Sequence, residues 1–299
     1  MTYRIGIDFG GTKIEIIALA PDGTTALRRR VMNPRTYDAA IATVVQLVTE
    51  TETQLNQHCT VGVGIPGAIS PFTGCVHNAN SIWMNHHPFD QDLQQALHRP
   101  VRVENDANCF ALSEASDGAA AGKHVVFGVI LGTGCGGGIA VNGAILPGLH
   151  RIAGEWGHTP LPWPTEQDLP YPECFCGNRG CIERYVSGPS LAAACDGPNC
   201  HDATTLPSRA AAGDPTATAA LALHADRLAR GLAVVINLLD PDAIVIGGGL
   251  SNMPHLYTEI PRRLTGRVIA ERAITPILRN HHGDSSGVRG AAWLWPLEH

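Results

Sequence analysis

Apolar runs that alternate with short glycine-rich turns set the pattern of the chain. Residues 4–9 and 14–19 are two such runs, joined by the turn Gly10-Gly11-Thr12-Lys13. A second pair lies at 125–131 and 139–141, joined by Gly132-Thr133-Gly134-Cys135-Gly136-Gly137-Gly138. Apolar runs of this length bounded by glycine predict strands, so each pair is expected to form a hairpin. The recurrence predicts two similar domains that face one ligand.

Strand and helix patterns also fill the segments around the two hairpins. Strands are predicted at 24–31, 61–67, 101–104 and 243–246, the last of which runs into Gly247-Gly248-Gly249. Helices are predicted at 36–57, 89–97, 106–115, 215–240, 254–264 and 287–295, with Asp90 capping the second and Asp214 the fourth. The small-residue stretch Ala119–Lys123 has little to pack, and we place the change of domain there. Alternating strands and helices favour an α/β fold.

Composition narrows the class of protein. The chain has 299 residues, of which 44% are apolar, and this is enough for two ordinary domain cores. A net charge of −6 with only 16% charged residues gives no basic surface for nucleic acid or an anionic membrane. No apolar run reaches bilayer length, and Met1-Thr2-Tyr3 leads into the first strand without the features of a leader. We therefore expect a cytoplasmic protein without nucleic-acid or membrane partners.

The glycine turns have the composition of phosphate-binding loops. Glycine lets backbone N–H groups approach an anion, while the Thr12 hydroxyl and the Lys13 ammonium add donors. Gly132, Gly134 and Gly137, with Glu155 further along, also match a dinucleotide-binding fingerprint. That fold requires a helix directly after the glycines, whereas 139–143 is typical of a strand and a turn. No G-x-x-x-x-G-K-[ST] motif of the P-loop type is present in the sequence.

Three of the nine cysteines are clustered. Cys174, Cys176 and Cys181, with His158 upstream, supply the four soft or borderline ligands of a closed tetrahedral Zn²⁺ site. The alternative is three buried thiols, but glycines surround these cysteines and a reducing cytosol disfavours a disulfide. The spacing predicts a structural zinc ion that holds a proline-rich loop in place.

Asp106 is the candidate general base. Phosphoryl transfer to a hydroxyl needs a carboxylate to accept the proton and a metal to bind the phosphates. Asp106 follows a predicted strand, although an Asn-Asp pair at such a junction is also typical of helix capping. Asp8 is suited to orient Mg²⁺ through water or to cap its turn. Polar side chains suited to vicinal hydroxyls, or merely exposed, are Asn80, Asn105, Glu155 and Glu183.

Together these motifs resemble the ROK family (repressors, open reading frames and sugar kinases) of the sugar-kinase and actin superfamily, over essentially the whole chain. Asp8–Lys13 matches the family's first phosphate motif, Gly132–Ile139 the second, and Gly247–Gly249 the adenosine-side turn. The resemblance implies a two-domain α/β, actin-like and hexokinase-like ATPase fold of ribonuclease H-like repeats, with a cleft between the domains. The implied domains are 1–118, completed by a C-terminal helix at 287–299, and 119–286, which contains the zinc-binding loop.

The resemblance also assigns roles to residues, with Asp106 as the catalytic base. The implied sugar-binding set is Gly67, Asn80, Asn105, Asp106, Glu155, His158 and Glu183. The implied nucleotide-binding set is Gly6, Ile7, Asp8, Phe9, Gly10, Gly11, Thr12, Lys13, Gly132, Thr133, Gly134, Cys135, Gly136, Gly137, Gly138, Ile139, Gly248 and Gly249. His158, Cys174, Cys176 and Cys181 are the implied zinc ligands. The implied cofactors are ATP, Mg²⁺ and structural Zn²⁺, and the implied assembly is a homodimer that binds a hexose.

Further motifs resemble the bacterial fructokinase and mannokinase branch, namely 153–158, 161–163 and 282–296. The expected function is therefore ATP-dependent phosphorylation of a hexose at carbon 6, in the order fructose, mannose, glucose and N-acetylglucosamine. The segment Leu149-His150-Arg151-Ile152 departs from the small, glycine-rich loop of relatives, so the identity of the sugar stays open. The alternatives are an N-acetylglucosamine kinase and a sugar-sensing regulator or binding protein without kinase activity. A repressor of this family carries a helix-turn-helix before the first phosphate motif, where only Met1-Thr2-Tyr3 stand here.

Overall fold

The computed structural model describes residues 2–296, and its first half is built on a five-stranded sheet. The elements are β1 (Arg4–Phe9), β2 (Lys13–Leu19), β3 (Thr25–Met32), α1 (Tyr37–Leu55), β4 (Thr60–Ile65), β5 (Ala68–Ile69), β6 (Val76–His77), α2 (Phe89–Leu97) and β7 (Val101–Asn105). The strand order is β3-β2-β1-β4-β7. The β1–β2–β3 pairs are antiparallel, whereas β4 and β7 extend the sheet in parallel.

The second half repeats this arrangement. Its elements are α3 (Asp106–Ser116), β8 (Val125–Leu131), β9 (Cys135–Val141), β10 (Ala144–Ile145), α4 (Glu183–Val186), α5 (Gly188–Asp196), α6 (Leu206–Ala211), α7 (Pro215–Leu239), β11 (Ala243–Gly247), α8 (His255–Leu264), β12 (Ile277–Arg279) and α9 (Ser286–Trp293). The strand order β10-β9-β8-β11-β12 again combines an antiparallel hairpin with two parallel strands. Each sheet therefore carries a glycine turn at the equivalent position, between β1 and β2 and between β8 and β9.

Each sheet packs against helices to form its own core. Ile5, Ile7 and Phe9 of β1 are buried against α1 and α2. In the second half, Leu228 and Leu232 of α7 are fully buried with β11 and α8. These helical positions recur at the 3.6-residue period, which is why the sequence pattern marks them.

Helices α3 and α9 pack between the two sheets. Phe110 of α3 is buried with strands β8 and β11, although α3 follows the first sheet in sequence. Conversely, α9 follows the second sheet but lies against β1 and β4. A Cβ atom at Gly290 would lie 1.6 Å from the Cys109 carbonyl oxygen, and one at Gly62 would lie 1.9 Å from that of Ala291. Only glycine permits these backbone approaches.

Most of the predicted elements are present, and the α/β fold class is confirmed. Strand β9 follows the second glycine turn, so the dinucleotide-binding alternative is excluded. Asp90 does not cap α2, because Pro88 occupies the cap position and Asp90 lies in the first turn, where its charge favours the helix dipole. The terminal helix α9 ends at Trp293, and 297–299 lie outside the described residues. In the part of the chain that is described, no helix is long and apolar enough to cross a membrane.

Candidate active site

Asp106 lies where β7 becomes α3. Asn105, not Asp106, is the N-cap, and its Oδ1 accepts hydrogen bonds from Ala107 N at 2.9 Å and Asn108 N at 3.4 Å. Asn105 Nδ2 donates to the Gly67 carbonyl oxygen at 2.9 Å. Asp106 Oδ1 accepts only the Ala107 N–H, at 2.8 Å, within residues 2–296. Because Asn105 caps the helix, the Asp106 carboxylate is left available for chemistry.

The protein around Asp106 favours its neutral form. Its side chain reaches solvent through the cleft, but burial among the surrounding residues raises its pKa to about 6, and the charge of Glu155 adds to the rise. Burial also raises the pKa of Asp8 to about 7, with Asp106 as the second cause. The two carboxylates therefore lie within electrostatic reach of each other. A carboxylate with a pKa near 6 is well matched to proton abstraction at neutral pH.

Hydrogen bonds from Asn33 hold the backbone of the first glycine turn in place. Asn33, a buried residue, donates its side-chain N–H to the Gly10 carbonyl oxygen at 2.8 Å and its backbone N–H to that of Thr12 at 3.0 Å. Thr12 and Lys13 are exposed. They border a cavity of about 320 Å³ that is lined by Asp8, Gly10, Thr12, Lys13, Glu15, Arg30 and Asp284. Gly6 and Ile7 do not reach this surface, since both are buried inside β1.

The second glycine turn is braced by Glu183, and the strand that follows the turn lies beside the helix of Asp106. Glu183 Oε2 accepts the Cys135 N–H at 2.9 Å, and a Cβ atom at Gly134 would lie 2.7 Å from the same oxygen. A Cβ atom at Gly138 would lie 2.4 Å from the Ala107 carbonyl oxygen. The turn itself spans 132–134, whereas Cys135–Ile139 belong to β9 and Gly137 packs against Gly154.

The third glycine turn adjoins the second. A Cβ atom at Gly248 would lie 2.4 Å from the Leu131 carbonyl oxygen, at the end of β8. Gly248 borders a cavity of about 360 Å³ lined by Ser251, Asn252, Arg279, Asn280, His281, Gly283 and Asp284. Asp284 lines this cavity and also the one beside the first turn. The two cavities therefore border the same residue, one beside Gly248 and the other beside Asp8.

The remaining candidate sugar-binding residues lie around Asp106. Glu155 is exposed, yet the protein around it removes part of its hydration, and this raises its pKa. His158 and Glu183 lie close enough to influence that pKa. Asn80 is exposed in the loop after β6, and a Cβ atom at Gly67 would lie 2.7 Å from the Ala79 N atom of that loop. The structure thus links Glu155 to Asp106, and Gly67 to Asn105, from the two halves of the chain.

The predicted zinc ligands form one cluster. The ligand atoms of His158, Cys174, Cys176 and Cys181 all lie within 4.8 Å of one another. His158 Nδ1 is 3.5 Å from Cys174 Sγ, and Cys176 Sγ is 3.6 Å from Cys181 Sγ. Four such donors around one point match the ligand set of a closed tetrahedral zinc site. His158 lies in the same short turn as Trp156, whose Nε1 donates to Gly136 O at 3.1 Å, so the cluster adjoins β9.

Several residues of the site were not found from the sequence. Asn33 supports the first turn, Ser81 lies against Gly11, and Asp284 joins the two cavities. Asn33 precedes a proline, which indicates a turn, but nothing local connects it with Gly10. Asp284 lies in the segment before α9, and only the fold brings that segment to the first hairpin.

The duplicated sheets and the likeness to solved hexokinase and glucokinase structures place the protein among the sugar kinases with an actin-like ATPase fold. The chain belongs to the ROK family, whose sequence profile matches residues 4–298.

Several relatives of the chain are sugar kinases. N-acetyl-D-glucosamine kinase of Yersinia pseudotuberculosis is 40% identical over 97% of each chain. The same enzyme of Pasteurella multocida is 40% identical over 98% of this chain and 99% of the relative. The ROK hexokinase of Thermus thermophilus is 29% identical, with a TM-score of 0.84 over 98% of this chain and 97% of that one. A ROK family glucokinase of Streptomyces griseus, solved with glucose and AMPPNP, is 29% identical, with a TM-score of 0.75 over 97% and 98%.

Proposed function

We propose that the protein transfers the γ-phosphoryl group of ATP to the carbon-6 hydroxyl of a hexose, with Asp106 as the general base. The observation that carries the proposal is the Asp106 carboxylate, freed from helix capping by Asn105 at the start of a helix that packs against β9, the strand after the second glycine turn. Its pKa of about 6 keeps it largely ionised at neutral pH, yet basic enough to accept a hydroxyl proton.

We further propose N-acetylglucosamine as the preferred sugar. The N-acetyl-D-glucosamine kinases at 40% identity support it, in place of the fructose that the branch motifs predicted. Glucose and mannose come next, since a glucokinase and a hexokinase share the fold at 29% identity. The bulky segment 149–152 lies just before Glu155, and a changed loop at this point fits a substrate other than fructose.

In this proposal the glycine turns bind the nucleotide. Gly10–Lys13 and Gly132–Gly134 supply backbone N–H groups and the Lys13 ammonium to the phosphates, and Gly248 borders the cavity for adenosine. Asp8 is the residue suited to hold Mg²⁺, which neutralises phosphate charge. Asn80, Asn105, Glu155 and His158 orient the sugar, so that its hydroxyl meets Asp106. Glu183 supports the second turn and borders the sugar region.

The activity is tested with purified protein, Mg²⁺, ATP and a panel of N-acetylglucosamine, glucose, mannose and fructose. ADP formation gives kcat/KM for each sugar, and NMR of the product identifies the phosphorylated position. A 6-deoxy sugar is the control for position. Sugar-dependent ADP formation that is highest with N-acetylglucosamine supports the proposal, and the absence of such activity with every sugar overturns it in favour of a binding protein or regulator. Highest activity with fructose would overturn N-acetylglucosamine as the preferred sugar and support fructose, which the sequence predicted.

We also propose that His158, Cys174, Cys176 and Cys181 hold structural Zn²⁺. Four ligand atoms within 4.8 Å leave no open position for a reactant, so the ion would only stabilise the loop that bears the cysteines. Metal analysis is expected to find about one zinc per chain. A zinc-free and fully stable preparation would overturn this assignment.

Location and assembly complete the proposal. We propose a cytoplasmic location, in line with the sequence-based expectation. We propose a homodimer on the family resemblance, and light scattering of the purified protein measures its mass directly.

A further inference from the structure

A row of three charged side chains crosses the first sheet beside the first glycine turn. Strand pairing places Asp8 of β1 opposite Glu15 of β2, and Glu15 opposite Arg30 of β3. Side chains directly opposite one another on neighbouring strands lie on the same face of a sheet. All three residues border the cavity of about 320 Å³ that Thr12 and Lys13 also line. None of the sequence motifs includes Arg30.

Glu15 fixes the guanidinium of Arg30. Only 4% of the Glu15 side chain is exposed, whereas 41% of the Arg30 side chain is exposed. Arg30 Nε donates to Glu15 Oε2 at 2.7 Å, and Arg30 Nη2 donates to the same oxygen. The other carboxylate oxygen, Oε1, accepts from Arg28 Nε. Because a buried carboxylate needs its cationic partners, Glu15 holds one edge of the Arg30 guanidinium in a fixed orientation.

The rest of the Arg30 guanidinium keeps unused donors. Within residues 2–296, Arg30 Nη1 forms no hydrogen bond, and no ion pair joins Arg30 to Asp8 or Asp284, the other carboxylates that line the cavity. Both carboxylates are nevertheless near. The hydrogen bond to Glu15 raises the pKa of Arg30, and the charges of Asp284 and Asp8 add to the rise. A permanently charged group with unused N–H donors therefore borders the cavity.

The unused donors suit the phosphate end of the nucleotide. Gly10, Thr12 and Lys13, which we propose as phosphate ligands, border the same cavity as Arg30. The cavity proposed for adenosine is a different one, beside Gly248. Arginine presents its donors in a planar fork that matches the oxygens of a phosphate. A guanidinium that is already held by a carboxylate also loses little conformational entropy when it binds.

We propose that Arg30 is a further nucleotide-binding residue, whose guanidinium, oriented by Glu15, donates to the outer phosphates of ATP. The proposal deepens the proposed kinase function and rests on it. Lys13 is the first residue of β2 and Arg30 lies near the end of β3, so two strands each supply one cation to this cavity. AMP lacks the outer phosphates, and the contact should therefore contribute to the binding of ATP but not of AMP.

The test compares Arg30→Gln with Arg28→Gln. Arg28 is a matched control, since it lies two residues earlier on β3 and pairs with the same carboxylate, and 45% of its side chain is exposed. In the described structure it lies outside the lining of the cavity. Calorimetric titration gives the dissociation constants of ATP with Mg²⁺ and of AMP for each protein. We expect Arg30→Gln to bind ATP about tenfold more weakly, the usual effect of losing one charge-assisted hydrogen bond, and AMP within about twofold of the wild type.

The control and the kinetics separate this contact from a structural effect. Both variants remove one partner of the buried Glu15 carboxylate, so a purely structural effect would appear in both. Arg28→Gln is expected to bind both nucleotides like the wild type. Arg30→Gln should also raise the KM for ATP about tenfold and leave the KM for the sugar within about twofold. Unchanged ATP affinity in Arg30→Gln, an equal loss in Arg28→Gln or an equal loss of AMP affinity overturns the proposal.

Nucleotide binding is measured without turnover, so the role of Arg30 and the kinase function can fail separately. A wild-type protein that binds ATP but phosphorylates no sugar rejects the kinase function, and the ATP titrations then decide the role of Arg30 alone. Sugar phosphorylation with wild-type ATP affinity in Arg30→Gln rejects only the role of Arg30. A wild-type protein that does not bind ATP overturns both.

Discussion

Replacing Asp106 with asparagine should lower turnover about 10²-fold or more and make the protein more stable at alkaline pH. The folded protein raises the pKa of Asp106 from 3.8 to about 6, mainly because burial disfavours the charged form. The folded state therefore binds a proton more tightly than the unfolded state, and the wild type loses stability as the pH rises from about 4 to about 6. Above pH 6 the charged Asp106 carboxylate destabilises the folded protein by the full amount, and an uncharged asparagine removes this destabilisation.

The size of this cost follows from the shift. A shift of about two pKa units corresponds to about 3 kcal/mol at most, at 1.36 kcal/mol per unit. The side chain reaches solvent through the cleft, so screening reduces the effect to about 1 kcal/mol. For a chain of this size, that amount raises the melting temperature by about 2 °C. The loss of a general base lowers kcat by about 10²-fold or more.

The assay combines steady-state kinetics with thermal unfolding at pH 4.5 and pH 8. We expect Asp106→Asn to melt above the wild type at pH 8, with much of the difference gone at pH 4.5, and to bind ATP normally. The control is Asp22→Asn, an exposed carboxylate whose pKa is lowered by hydrogen bonds from Thr24, and it should lose no turnover. Near wild-type turnover in Asp106→Asn would place the base elsewhere. A lower melting temperature than the wild type at pH 8 would refute the electrostatic reasoning.

Three further predictions concern the same site. Wild-type kcat/KM should fall about tenfold between pH 7 and pH 5, as Asp106 with its pKa of about 6 becomes protonated, and a profile flat over this range would exclude it as the base. Gly134→Ala should raise the KM for ATP about tenfold, because its Cβ would lie 2.7 Å from Glu183 Oε2, whereas Gly287→Ala, with open space around it, should leave KM unchanged. Cys176→Ser should lower bound zinc from about one per chain to nearly none and lower the melting temperature, and Cys195→Ser, outside the cluster, should do neither.

Local patterns were sufficient to predict the elements and parts of the site. The apolar runs on either side of Gly10 and Gly134 predict both hairpins, because one face or both faces of each strand must be buried. The cluster of candidate zinc ligands was predicted because three of its residues lie within eight positions and a closed zinc site needs four ligands. The Asn-Asp pair at 105–106 was ambiguous in sequence. The structure resolves it, since Asn105 makes the capping bonds.

The apolar pattern did not predict the packing between the halves, and only the family resemblance led us to expect the C-terminal helix on the first domain. Nothing in the apolar period of α3 or α9 shows that each helix packs on the sheet of the other half, because the contact depends on glycine backbone at Gly62 and Gly290 rather than on side chains. Glu183 was expected among sugar-binding groups, yet its Oε2 atom accepts the Cys135 N–H of the second turn. A hydrogen bond between residues so far apart in sequence leaves no periodic signal.

The repeat explains how a symmetric fold produces one asymmetric site. The junction between β7 and α3 and the junction between β12 and α9 occupy equivalent positions in the two sheets. In the first repeat the helix starts directly after the strand, and its first turn packs against β9, the strand after the second glycine turn. In the second repeat 280–285 intervene, and Asp284 instead lines the two cavities that border the first and third turns. In the proposed reaction, the junction of the first repeat thus supplies Asp106 to the acceptor hydroxyl. The equivalent junction of the second repeat supplies Asp284 to the cavities beside the nucleotide. The length of the segment before α9 is therefore the feature that separates the two roles.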